Sequence, residues 1–246
     1  MSQGSRQLII NADDLGYDPA ISEGIVLAMR TGVVTSATLM VNLPHSEHGA
    51  ALAGGLPVGL HLNLSRGAPV SPHFPPDLLR DGRFDETLAS ALPPDVVADE
   101  AEAQVHRAEL LLGRPPTHLD VHRHLHRDPG VLLGVIRVAA RLRIPVRALD
   151  GPMRAALRGA GVVTTDRFVG EAGSEAYWTE VRFLQAIEGL GEGSTELMCH
   201  PGNPPTHTTS SYGLQRAVEL ATFTSAAARR AIESSGIVLQ SFADLR

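Results

Sequence analysis

The sequence predicts a single α/β domain, built as a closed or distorted (β/α) barrel. Short apolar runs alternate with amphipathic stretches along all 246 residues, a pattern typical of parallel strands connected by helices. The composition does not shift in a way that would mark a second domain, and the chain is long enough for one barrel. Neither GxGxxG nor GxxxxGKS/T follows the first strand, so an open nucleotide-binding sheet is less favoured.

The first part of the chain is predicted to contain three strands and two helices. The opening strand is the apolar run within Leu8–Gly16, and Asp18 followed by Pro19 is typical of a helix start. That helix is expected to continue to Arg30 and to stop at Gly32. The next elements are a strand at Ser36–Val41, a helix at His45–Ala53 and a strand at Val58–Leu62.

Ser65–Pro94 interrupts this alternation. It is rich in proline and glycine, has no sustained hydrophobic period and is too long for an ordinary connection. Since it follows a strand that ends in chemically active residues, we predict that it forms a lid or a wall of the substrate site.

The second part of the chain returns to alternating strands and helices. The helix at Asp95–Leu112 is the clearest, and Asp95 is expected to cap it. Further predicted helices are Pro129–Leu142, Met153–Arg158, Glu175–Glu188, Arg216–Leu220 and Ser225–Ser235. Further predicted strands are His118–Val121, Val146–Ala148, Val162–Thr164, Glu196–Cys199 and Ile237–Gln240.

Acidic and histidine side chains follow several of these strands. Asp13 and Asp14 end the first strand, His61 lies near the end of the third, and His122 follows the fourth. Two adjacent carboxylates are costly to hold together without a neighbouring cation. Because parallel barrel strands end at the same face, we expect these residues to meet at one divalent metal ion.

The spacing within DVHRHLH limits how many histidines bind that ion. While the strand stays extended, Asp120, His122, His124 and His126 share one face, with neighbours about 6.6 Å apart. One or two of the histidines can therefore reach one ion. A set of Asp14, His61 and His122 suits zinc and is tolerable for other divalent ions.

Other polar residues are candidates for roles around this ion. Asp13 can accept a proton from the attacking water as a general base, and His200 in LMCHPGN can protonate a leaving amine. Arg147 can hold a carboxylate or stabilise an oxyanion, while His124 and Asn63 are further candidates for substrate contact. Taken singly, each of these residues could have a purely structural role. Because they lie at the ends of several separate strands, a functional site is favoured.

Composition excludes several classes of protein. A formal net charge of −6 gives no basic surface for nucleic acid, and the single cysteine, Cys199, excludes an intramolecular disulfide framework. No apolar run reaches membrane-spanning length, and Met1–Gln7 lacks the features of a signal peptide. We therefore predict a cytoplasmic protein.

The motifs NADDLG, TSATLMVN, VGLHLNL, PTHLDVHRHLH, IPVR and ELMCHPGN occur in this order. The set resembles the YdjC-like (ChbG/HpnK) carbohydrate deacetylases over Leu8–Leu245. The resemblance implies a distorted TIM-like barrel, a homodimer, and metal-dependent removal of acetyl from an N-acetylated sugar or oligosaccharide. Carried onto matching positions, it implies that Asp14, His61 and His122 bind one Zn²⁺ or Mg²⁺ ion and that Asp13 is the base.

This chain departs from the family pattern at two positions. Leu15 replaces the usual phenylalanine, and Arg123 interrupts a run of three histidines. We expect Arg123 to point away from the metal ligands, because it would lie on the opposite face of the strand. Two alternatives stay open: a metal-dependent hydrolase of another small amide, ester or phosphoester, and a sugar-binding barrel without catalytic activity.

Overall fold

The computed structural model describes residues 5–245. Residues 1–4 and 246 lie outside it, and with them most of the Met1–Gln7 segment on which the signal-peptide prediction rests. The described strands are β1 (Arg6–Leu15), β2 (Ser36–Leu39), β3 (Val58–Leu62), β4 (Leu119–Val121), β5 (Arg167–Val169), β6 (Gly193–Cys199) and β7 (Val238–Leu239). The α-helices are α1 (Pro19–Thr31), α2 (Ser46–Leu52), α3 (Pro94–Leu112), α4 (Pro129–Leu142), α5 (Gly151–Gly159), α6 (Glu180–Glu188), α7 (Leu214–Thr224) and α8 (Ala226–Ser235).

β1 is the central strand of one parallel sheet. The strand order is β4-β3-β2-β1-β6-β5, and the short β7 pairs with the beginning of β1. Leu8, Ile9 and Ile10 are fully buried, as expected for a strand covered on both faces. Because β1 lies in the middle of the sheet, its carboxyl end opens at the centre of the barrel mouth, between β2 and β6.

Irregular backbone, instead of regular strands, bridges the gap between β4 and β5. Val146 makes a single parallel bridge to Leu119, and its amide donates to the carbonyl of Val163 at 3.0 Å. The predicted strands Val146–Ala148 and Val162–Thr164 are therefore wrong as regular strands, because isolated hydrogen bonds hold each of them. The prediction of a distorted (β/α) barrel is confirmed.

The predicted helices form, with shifted ends. α3 begins at Pro94, and Asp95 lies in its first turn instead of capping it, so that part of the prediction is wrong. α6 begins at Glu180, later than predicted, because the Thr179 side chain accepts from the amide of Arg182 at 3.3 Å and caps the helix there. α7 is longer than predicted at both ends.

The Ser65–Pro94 segment packs against the barrel. It contains two short 3-10 helices, and the rings of Phe74 and Phe84 meet edge to face with centroids 5.1 Å apart. The buried carboxylate of Glu100 on α3 accepts from the amide of Val70 at 2.9 Å, which fixes the segment to the outer helices.

Among the helices in residues 5–245, none is long and apolar enough to cross a membrane.

Candidate active site

The carboxyl end of β1 directs its two acids to different partners. Asp14 adopts a left-handed backbone conformation, with φ of 73°, which turns the chain out of the strand. Asp13 and Asp14 are both buried, and each contacts a buried arginine: Arg147 for Asp13 and Arg216 for Asp14. The pairing compensates the cost of burying two adjacent negative charges.

Asp14, His61 and His122 form a triangle of ligand atoms. Asp14 Oδ1 lies 3.3 Å from both His61 Nε2 and His122 Nδ1, and these two nitrogens are 3.1 Å apart. Ligands at roughly 2.0–2.2 Å from a tetrahedral zinc ion are separated by roughly 3.3 Å. Asp14 Oδ1 is also buried without a hydrogen-bond partner in the described part of the chain. These residues therefore fit one divalent ion.

A hydrogen-bonded carboxylate orients the imidazole of His61. Asp120 Oδ1 lies 2.6 Å from His61 Nδ1, an arrangement common behind metal-binding histidines. Asp120 also accepts from the hydroxyl of Thr38 at 3.0 Å and pairs with Arg147 at 2.9 Å. Burial lowers the pKa of His61, but the carboxylates of Asp120, Asp14 and Asp13 outweigh it and raise the pKa to about 10. The same three carboxylates would favour a metal cation at His61 Nε2 in place of the proton.

We expect Asp120→Asn to weaken metal binding by about 10- to 100-fold. The substitution removes the negative charge behind His61 while leaving Arg147 with Asp13 and Glu196 as partners. Competition for Zn²⁺ against a chromophoric chelator measures the affinity. An unchanged dissociation constant, in a variant with the thermal stability of the wild type, would contradict a role for Asp120 in orienting the ligand.

Arg216 is a site residue that the sequence did not reveal. Its Nη2 donates to Asp14 Oδ2 at 2.6 Å, and its Nε donates to the carbonyl of Tyr212 at 2.8 Å. Burial raises the pKa of Asp14, but Arg216 and the neighbouring histidines lower it well below the usual range. Arg216 therefore holds one carboxylate oxygen and leaves the other facing the two imidazoles. Nothing in the sequence of α7 separates this buried arginine from one on a solvated face.

Arg147 contacts the general-base candidate Asp13 and is not among the residues that line the described cleft. It is fully buried, its two Nη atoms each contact an Asp13 oxygen at 2.7 Å, and its Nε donates to Glu196 at 2.7 Å. Arg147 therefore holds carboxylates, which is one of its two predicted roles. The other, contact with substrate or an oxyanion, is corrected, because protein carboxylates occupy its guanidinium. Burial raises the pKa of Asp13, but Arg147 lowers it well below the usual range. Asn11 Nδ2 also donates to Asp13 Oδ1 at 2.9 Å.

His200 lines the same cleft as Asp13 and Asp14. Its backbone amide donates to the buried carboxylate of Glu219 on α7 at 2.5 Å. Burial lowers the pKa of His200 to about 4, with Asp14 and Asp13 opposing the shift. The imidazole is therefore neutral near pH 7.

The predicted alternation of side chains stops at His122. Arg123 and His124 have φ of 59° and 54°, so the chain leaves the strand and turns back on itself. Arg123 does not lie on an opposite strand face as expected: it lines the cleft and its Nε donates to Glu86 at 2.9 Å. His124 also lines the cleft, with its ring edge to face with Phe168.

Asn63 has a structural role instead of the predicted substrate contact. It is fully buried, and its Nδ2 donates to Asn42 Oδ1 and to the carbonyl of Arg66, both at 2.9 Å. Its Oδ1 accepts from the amide of Ser65 at 3.1 Å. These contacts fix the start of the Ser65–Pro94 segment, and Asn63 does not line the described cleft.

The cleft above the metal-ligand triangle has a volume of about 930 Å³. The Ser65–Pro94 segment contributes Arg66 to it, and the guanidinium of Arg66 lies 5.1 Å from the ring centre of Tyr17. Residues 168–174 and 209–212 also line the cleft, and the sequence did not predict them as part of a site. The aromatic residues of the cleft are Tyr17, Phe168, Tyr177 and Tyr212.

Known proteins resemble the chain along nearly its whole length. It is 40% identical over 228 residues to a carbohydrate deacetylase of Geobacillus stearothermophilus, covering 89% of each chain. It is 38% identical over 253 residues to a chitooligosaccharide deacetylase of Enterobacter sp. (strain 638), covering 97% of this chain and 98% of that protein.

Solved structures confirm the barrel fold. A crystal structure of a candidate cellobiose-phosphate cleavage protein from Enterococcus faecalis V583 matches with a TM-score of 0.85 and 26% identity, covering 97% and 98% of the two chains. A family 4 acetyl xylan esterase from Clostridium thermocellum matches with a TM-score of 0.53 and 11% identity, covering 96% of this chain and 87% of the other, and shares the fold. The model of the YdjC-like protein family matches residues 7–234. The chain therefore belongs to the YdjC-like protein family.

Proposed function

We propose that the protein uses one divalent metal ion to hydrolyse the acetyl group from an N-acetylated amino sugar or oligosaccharide. The observation that carries this proposal is the triangle of Asp14, His61 and His122, with the Asp13 carboxylate buried beside it in one open cleft. The relatives named as carbohydrate and chitooligosaccharide deacetylases support the substrate class.

Asp13 is the proposed general base. A divalent ion bound by the triangle would polarise the acetyl carbonyl and lower the pKa of a water molecule. Asp13 stays a carboxylate at neutral pH, because Arg147 holds its pKa low, and it can therefore accept the proton of the attacking water. Arg147 and Asn11 fix its orientation through three hydrogen bonds, so that little reorganisation is needed.

His200 is the proposed general acid. Its imidazole lies in the cleft, where it can donate a proton to the departing amine. Because its pKa is lowered to about 4, the ring is neutral in the resting protein. The proton that Asp13 removes from the attacking water balances the one that the amine takes up, and His200 would relay it as negative charge develops on the substrate. The contact between its amide and Glu219 fixes the backbone from which the ring projects.

The cleft fits an oligosaccharide. Its volume of about 930 Å³ is at the upper end of the usual range for small-ligand sites. The rings of Tyr17, Tyr177 and Tyr212 lie along it, and aromatic rings offer an apolar surface. Sugars beyond the acetylated unit would lie against these rings.

We expect chelation to abolish acetate release and added Zn²⁺ to restore it. Two imidazoles and one carboxylate suit Zn²⁺ better than Mg²⁺, which prefers oxygen ligands. Acetate is measured with N-acetylglucosamine oligomers before chelation, after chelation and after reloading with Zn²⁺ or Mg²⁺. Full activity in protein shown to be free of metal would contradict the proposal.

A substrate panel separates the proposed reaction from its rivals. Acetate release from N-acetylated sugars supports the deacetylase, whereas phosphate release without acetate would favour a phosphoesterase. Binding of sugars without turnover by the metal-loaded protein would favour a non-catalytic barrel.

We further predict a homodimer, from the family resemblance, and a cytoplasmic location, from the single cysteine. Light scattering tests the first, and cell fractionation tests the second.

A further inference from the structure

Asp18 joins the turn after β1 to a distant part of the chain. Its Oδ1 accepts from the amide of Ala20 at 2.9 Å and caps α1. Its Oδ2 accepts from the amides of His207 at 2.8 Å and Thr208 at 3.0 Å, and from the Thr208 hydroxyl at 3.1 Å. The amide of Thr206 lies 3.2 Å from both oxygens. One buried carboxylate therefore satisfies several donors of a segment without regular secondary structure.

The segment bound by Asp18 continues directly into the cleft wall. Residues 209–212 line the cleft, and the hydroxyl of Tyr17 donates to the carbonyl of Thr209 at 2.7 Å. The preceding backbone lies close against α1, because a Cβ atom on Gly24 would be 2.5 Å from Gly202 Cα. The beginning of α1 thus determines where this wall lies.

The charge of Asp18 strengthens this attachment. Burial raises the pKa of Asp18, but the amide donors of residues 206 and 207 outweigh it and lower the pKa, so the carboxylate stays ionised at neutral pH. Hydrogen bonds to an ionised acceptor are stronger than those to a neutral one. In the described part of the chain, Asp18 makes no hydrogen bond to a residue of the metal-ligand triangle.

We propose that Asp18 is a positioning residue that fixes the 209–212 wall and so sets the affinity for sugars beyond the acetylated unit. This inference rests on the proposed function for its substrate. It predicts a change in KM that grows with the length of the oligosaccharide, since Asp18 touches the wall and not the groups that react.

Asp18→Asn tests this role with little change in shape. Asparagine keeps an oxygen that can cap α1, but its NH₂ replaces Oδ2 and faces the donor groups of His207 and Thr208. We expect KM for a tetramer of N-acetylglucosamine to rise roughly tenfold, equal to the loss of about 1.4 kcal/mol. The dimer should change less, and kcat and metal content should match the wild type. Amide exchange should accelerate at residues 206–208.

Asp150→Asn is the matched control. Asp150 caps α5 by accepting from the amide of Met153 at 2.8 Å, and it is exposed. This variant should keep the wild-type KM for both oligomers. If Asp18→Asn does not fold, Thr208→Val removes a hydroxyl that donates to Asp18 Oδ2. It should raise KM for the tetramer more than for the dimer, by a smaller factor than Asp18→Asn.

Two results would overturn the inference. One is faster exchange at residues 206–208 with an unchanged KM for both oligomers, because the wall would then not bind sugar. The other is a parallel loss of kcat and bound metal, because Asp18 would then support the metal site. Calorimetry measures the dissociation constant of the tetramer for the wild type and the variant, and so compares their affinities without turnover. A wild type that binds the tetramer but releases no acetate would refute the proposed function alone.

Discussion

Asp13→Asn is expected to lower kcat for acetate release by about 10³-fold while the metal stays bound. Asparagine has the size of aspartate but cannot accept the proton of the attacking water. Asp14, His61 and His122 are unchanged in this variant, so the metal content should stay that of the wild type. Stopped assays of acetate, paired with elemental analysis of the same sample, measure both quantities.

The same substitution changes the surroundings of Arg147. This buried arginine loses one carboxylate partner and keeps Asp120 and Glu196, so the protein should become less stable but still fold. The Tm of Asp13→Asn is therefore measured together with its kinetics. Asp150→Asn serves as the control, because it makes the same aspartate-to-asparagine change at an exposed position. A folded, metal-loaded Asp13→Asn variant that keeps a tenth or more of the wild-type kcat would refute the assignment of the base.

His61→Ala should abolish both metal binding and acetate release. His61 supplies one corner of the ligand triangle, and its removal leaves Asp14 and His122 as the remaining pair. Two ligands do not make a site of the three-ligand catalytic type. Metal content and the shift in Tm on adding Zn²⁺ report the loss independently of activity, because a ligand that binds only the folded state stabilises it.

His48→Ala is the matched control for this experiment. His48 is exposed on α2 and does not line the cleft in the described structure, so its removal should leave the Zn²⁺-dependent rise in Tm intact. If His61→Ala retained one equivalent of metal and the same rise in Tm, the triangle would not be the metal site.

Features that depend on local pattern can be predicted from the sequence alone. The apolar run of β1 and the position of Asp13 and Asp14 at its end follow from residues adjacent in the chain. The apolar run of β3 likewise predicts that His61 lies near the end of that strand. The local pattern failed after His122, because it does not reveal that Arg123 and His124 turn the chain with positive φ.

The partners of the buried acids become visible only in the folded protein. Arg147 is separated from Asp13 by 134 positions, Arg216 from Asp14 by 202, and Asp18 from His207 by 189. The short-range periodicity of a strand or helix can indicate that a residue is buried, but it does not indicate which distant charge lies opposite. The partners come from the segment around Arg147, from α7 and from the segment at residues 206–208, all distant in the chain. A buried carboxylate is tolerated only where an opposite charge or hydrogen-bond donors meet it.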